Sequence, residues 1–121
     1  MPSLLIVADE NQILELLSFT LGLHGFTVYT ARVSGALDAM LLLGPDLIVF
    51  DLPPISGAGF TVVRALRARL TCPPIVMLAG PAAPEPEAMG RDLSEAYLHK
   101  PCRPAQLLEV VQELLEKGLR V

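Results

Sequence analysis

Four side chains in this sequence stand where short apolar runs stop, and their types suggest a shared chemistry. Asp9 and Glu10 follow LLIVA, Asp51 closes LIVF, and Lys100 follows AYLH. Ala79 and Gly80 close one further run, IVML. If each run is a parallel strand, these residues meet beyond the carboxyl ends of one sheet, where open α/β sheets form their sites. Two or three carboxylates gathered there suit a hard divalent cation such as Mg²⁺, which takes few protein ligands and keeps several waters. An ammonium facing them suits an anion, above all a phosphoryl group.

Other chemistries drop out. The turn ADENQ holds no glycine, which excludes a dinucleotide fingerprint and a P-loop. There is no GxSxG elbow, and Ser56 is not followed by a triad. His24 and His99 lie far apart in the chain, with no third ligand spaced near either. Lys100 and Lys117 are the only lysines among nine basic residues, so a lysine at such an edge is conspicuous.

The elements that must position these residues alternate strand and helix five times. Leu4–Val7, Phe26–Thr30, Leu47–Phe50, Ile75–Leu78 and Ala96–His99 read as strands. Between them, helical spacing links Ile13, Leu16, Leu17, Thr20, Leu21 and His24, with Gly25 as a left-handed cap. A second stripe runs through Val33, Ala36, Leu37, Met40 and Leu41 and closes at Gly44-Pro45. The third helix carries Val62, Val63, Leu66 and Leu70 inward, with Arg64, Arg67 and Arg69 largely outward. From Ala79 to Ser94 the prolines Pro81, Pro84 and Pro86, with Gly90, oppose a long helix. The last helix follows Pro104, turns Leu107, Leu108, Val111, Leu114 and Leu115 to one side, and stops at Gly118. Strands separated by amphipathic helices are βαβ units. Right-handed crossovers then place helices on both faces of a doubly wound parallel sheet.

Composition sets the outer limits. The length of 121 residues predicts a single domain, residues 1–121. Apolar residues make up 52% and charged ones 18%, with a mean hydropathy of +0.52, which excludes a disordered chain. No apolar run approaches the roughly 20 residues of a membrane span. MPSLLIVADE lacks the basic start of a signal peptide. A net charge of −4 and a pI near 5.0 argue against a nucleic-acid partner. Two cysteines outside any CxxC spacing fit reduced thiols. The expectation is a soluble cytoplasmic protein.

LLIVADE, LIVFDLPPISGAGF, PPIVMLAG and YLHKP, in this order, resemble a response-regulator receiver domain, from Leu4 to about Gly118. The resemblance implies a flavodoxin-like sheet of strand order 2-1-3-4-5 and a role in two-component phosphorelay signalling. It makes Asp51 the phospho-acceptor and Lys100 the phosphoryl-binding cation. Asp9, Asp51 and the backbone carbonyl of Pro53 would hold Mg²⁺, with Glu10 as a further candidate. Ala79 and Tyr97 stand at the switch positions, Gly59 opens the third helix, and the bond before Pro101 would be cis.

The departures are specific. Ala8 replaces an acid that supports the metal, so Mg²⁺ binding is expected to be weak. Ala79 replaces the hydroxyl residue that turns toward the phosphoryl group. Pro53 has no N–H to offer its oxygens. The primary expectation is a stand-alone receiver module, not an enzyme, and a monomer or weak homodimer. It would be phosphorylated on Asp51 by a histidine kinase or phosphotransfer protein. With no DNA-binding segment in the sequence, it would signal to a downstream protein through the fourth helix, fifth strand and fifth helix. The alternative is a degenerate receiver that binds proteins independently of phosphorylation. A metal-dependent phosphatase fails, because it would want a second acid where Pro53 stands.

Overall fold

β3 (Leu47–Asp51) and β4 (Ile75–Ala79) are buried at every position. A strand covered on both faces reads as a continuous apolar run. They lie inside a five-stranded parallel sheet of order β2-β1-β3-β4-β5, with β1 at Ser3–Val7, β2 at Thr27–Ala31 and β5 at Ala96–His99. The structure, a computed structural model, describes residues 2–52, 58–81 and 87–119.

The crossovers are α1 (Asn11–Gly22), a 3₁₀ turn at Val33–Gly35 leading into α2 (Ala36–Leu43), α3 (Ala58–Arg67) and α4 (Glu87–Leu93). α5 (Pro104–Leu119) follows β5. Alternate strand residues feed two cores, as the period of two requires. Leu5, Val7, Ile48, Phe50 and Met77 pack with Met40, Phe60, Val63 and Leu66 on the α2–α3–α4 side. Leu4, Ile6, Val49, Val76 and Leu78 pack with Leu21, Leu107 and Val111 under α1 and α5. This is the doubly wound, flavodoxin-like fold. Among the described residues, no helix is long and apolar enough to cross a membrane.

The register levels the strand ends. Val7 pairs with Phe50, Asp51 with Leu78, and Ala79 with His99. The chain reverses its winding between β1 and β3, so the crevice of the sheet opens there. At the opposite edge, Glu95 accepts both guanidinium N–H groups of Arg67, at 2.9 and 2.7 Å, and the Ile75 N–H at 2.7 Å. That fork ties the end of α3 to the start of β4.

Several faces differ from the sequence pattern. Leu16 is 60% exposed and lies with Phe19 and Leu23 on the outer side, because Leu14, Leu17 and Leu21 form the inward stripe of α1. His24 falls beyond α1 and is exposed, while Gly25 takes φ +88° in the turn. Leu41 is also exposed on α2. Leu70 is fully exposed, since α3 ends at Arg67 and the chain turns before reaching it. α5 runs through Gly118 to Leu119. Gly44 does end α2, with φ +55° at the cap.

Candidate functional site

The sheet register brings Asp51, Lys100, Ala79 and the Ala8–Glu10 turn to one edge. Asp51 ends β3 and is 4% exposed, and it is the one charged residue buried among those described. Its Oδ1 meets Nζ of Lys100 in an ion pair. Burial is the largest influence on this carboxyl and raises its pKa. The hydrogen bond and charge of Lys100 pull it back, while the charges of Glu10 and Asp9 push it up further. Asp51 therefore feels two neighbouring acids here, with the ammonium of Lys100 opposing them.

Lys100 is placed by the backbone. Its N–H donates to the Ala79 carbonyl at 2.8 Å, which extends the β4–β5 ladder by one residue. The peptide between Lys100 and Pro101 is cis. The side chain keeps 28% of its surface exposed, so its head can reach a ligand arriving from solvent.

The β1–α1 turn is held differently. The Ala8 N–H donates to Ala31 at 3.1 Å, and the Ala8 methyl is fully buried. Asp9 is exposed, and its Oδ1 accepts the Val33 N–H at 3.0 Å. Arg32 donates to the Asp9 carbonyl and to Oδ1 of Asn11. Glu10 is exposed at the N-cap position of α1, where its side chain makes no capping bond. The tie through Arg32 could not be read from the sequence, because an arginine between a strand and a helix is ordinary until the facing loop is known.

Ala79 ends β4 at 1% exposure, and its methyl packs in the core on the α2–α3–α4 side. Tyr97 lies buried on β5, 9% exposed, with its ring edge-on to His99 and 5.4 Å from the Arg91 guanidinium carbon. Gly59 is buried in the first turn of α3. Pro53 lies outside the described residues, as do Pro84 and Pro86.

Among the described residues, no three His, Cys, Asp or Glu side chains form a cluster able to hold a metal ion. Asp9 and Asp51 are nonetheless enough for Mg²⁺, which binds through one or two carboxylates and fills its octahedron with water. The charges of Glu10 and Asp9 that raise the Asp51 pKa are what a divalent cation would offset. The donor set fits Mg²⁺.

No protein-family model matches the chain. Individual proteins do. The transcriptional regulatory protein GltR of Pseudomonas aeruginosa is 32% identical over 120 residues, covering 96% of this chain and 50% of GltR. The DNA-binding dual master transcriptional regulator RpaA of Synechocystis sp. is 34% identical over 126 residues, covering 100% of this chain and 52% of RpaA. The chain spans about half the length of the curated relatives it matches. Among solved structures, the chemotaxis protein CheY4 of Vibrio cholerae superposes with a TM-score of 0.82 at 30% identity, covering 94% of this chain and 98% of that one. The chain belongs to the response-regulator receiver family. It is a receiver domain of two-component signalling. Such domains are signalling modules that interact with histidine kinases and downstream effectors, and they generally bind Mg²⁺ at the phosphorylation site.

Proposed function

We propose that this receiver accepts a phosphoryl group on Asp51 and passes that state on through protein contacts. The observation that carries the reading is the buried Asp51 paired with Lys100 at the carboxyl edge of the sheet. A carboxylate oxygen of Asp51 attacks phosphorus, and an O–P bond forms as the bond from phosphorus to its donor breaks. The leaving group departs with the electron pair and takes up a proton. Lys100 then has phosphoryl oxygens within reach and neutralises part of their charge.

Asp9 and Asp51 would hold Mg²⁺, with Glu10 nearby and the Pro53 carbonyl as a backbone ligand. The metal supplies further charge neutralisation when bound. The phosphodonor is a histidine kinase or phosphotransfer protein. The effector surface is α4, β5 with Tyr97, and α5.

A second reading, a degenerate receiver whose contacts ignore phosphorylation, is favoured by the methyls of Ala8 and Ala79 at positions that would otherwise help to hold the metal and the phosphoryl group. Incubation with Mg²⁺ and acetyl phosphate, followed by intact-mass measurement, separates the two. The wild-type chain should gain one phosphoryl mass and Asp51→Asn none. No gain in the wild type would leave the degenerate reading.

A further inference from the structure

Gly90 stands in the middle of α4, where glycine is the poorest helix former after proline. Its surroundings explain the choice. A Cβ built there would lie 2.2 Å from Cε2 and 2.7 Å from Cδ2 of Tyr97, and 3.3 Å from Sδ of Met77. The ring of Tyr97 fills the volume that any side chain at position 90 would need. Methionine is flexible enough to yield a few tenths of an ångström. A ring pinned on several sides is not.

Two further contacts of the ring come from the same region. The Arg91 guanidinium lies 5.4 Å from the ring centroid, and the His99 ring stands edge-on at 5.4 Å and 77°. Glu87 joins these two, accepting from Nε of Arg91 at 2.8 Å and meeting Nε2 of His99 at 2.9 Å. At the end of α4, Oγ of Ser94 donates to the Gly90 carbonyl at 2.6 Å and closes a helix terminus that would otherwise leave that acceptor open. None of these contacts involves Asp51, Lys100 or Ala79.

We propose that Gly90 is a seat that holds the Tyr97 ring inward in the unmodified chain, so that α4 helps to set the aromatic's position on the output face. The inference rests on reading α4, β5 and α5 as that face. It does not require Asp51 to be phosphorylated, so its test is made on unmodified protein and can fail separately.

The chain has two tyrosines and no tryptophan, so in Tyr29→Phe all tyrosine emission comes from Tyr97. Acrylamide should quench that emission several-fold less than it quenches N-acetyltyrosinamide, and adding Gly90→Ala should remove most of the protection. A Tyr97 as accessible as the free amide, or one indifferent to Gly90→Ala, would overturn the seat. A stability cycle reads the same contact and survives poor folding of the single variant. Gly90→Ala should lower the melting temperature when Tyr97 is present. In a Tyr97→Ala background the same change should raise it by roughly 3–5 °C, the gain of alanine over glycine inside a helix for a domain of this size. A loss in both backgrounds would mean that the ring is not what excludes a side chain at position 90.

Discussion

Nζ of Lys100 rests on Oδ1 of Asp51, so the one buried charge among the described residues has its counter-ion built in. The two arrive from different strands. Asp51 ends β3, and Lys100 follows β5 across the whole width of β4. Burial, together with the charges of Glu10 and Asp9, raises the carboxyl's pKa more than the lysine lowers it. The acid is therefore held at a cost to the fold.

That cost has a pH signature. A carboxyl whose pKa is raised on folding binds more protons in the folded chain than in the unfolded one, so stability falls as pH rises through that interval. Asparagine has no such dependence. Asp51→Asn should therefore melt higher than the wild type at neutral pH, with the advantage shrinking on acidification and vanishing below the ordinary aspartate value of 3.8. Melting curves of both proteins across that range are the check. A constant difference at all pH values would show that the carboxyl is not perturbed.

Ala8 should weaken Mg²⁺ binding. Its side chain is fully buried beside Asp9, so an acid placed there has no solvent to turn to. Without a divalent cation, Ala8→Asp should cost about 1–3 kcal/mol, the usual penalty for a buried polar group left unpaired. With Mg²⁺ the added charge should tighten binding by about tenfold, equivalent to ~1.4 kcal/mol. Calorimetric titration of both chains decides. Equal affinities would mean that Glu10 already fills this role or that the acid is irrelevant.

Ala79 should limit the signal. A ligand shifts a conformational equilibrium only by its differential interaction with the two states. A hydrogen bond to a charged group is worth about 1.5–3 kcal/mol, comparable to a typical allosteric coupling. In the wild type, beryllofluoride should therefore leave the NMR signals of Tyr97 nearly unchanged and alter partner affinity by less than about tenfold. Ala79→Ser, the smallest change that restores a hydroxyl at this buried position, should tighten beryllofluoride binding by about tenfold or more. A large response of the output face in the wild type would show that the switch works without its hydroxyl.

The parts of this molecule that sequence exposes are those governed by local rules. β3 and β4 are legible because burial on both faces forces an unbroken apolar run. Asp51 and Lys100 are legible because each stands where such a run stops. The orientation of Leu16 was not, since α1 is apolar on both sides and periodicity cannot choose between them. Leu70 kept the helical spacing of α3 although the helix had already ended at Arg67. The Arg32 tie to Asp9 and Asn11 joins loops more than twenty residues apart, and the Gly90 seat joins a helix to a strand. Read along the chain, Gly90 was only a reason for α4 to be short.

The most direct measurement locates the phosphoryl group. After reaction with Mg²⁺ and acetyl phosphate, borohydride reduces an aspartyl phosphate to homoserine, which peptide mass mapping can place. Conversion should be found at Asp51 alone and should disappear in Asp51→Asn. Conversion at Asp9 or Glu10 with Asp51 untouched would contradict the assignment of Asp51 as the acceptor.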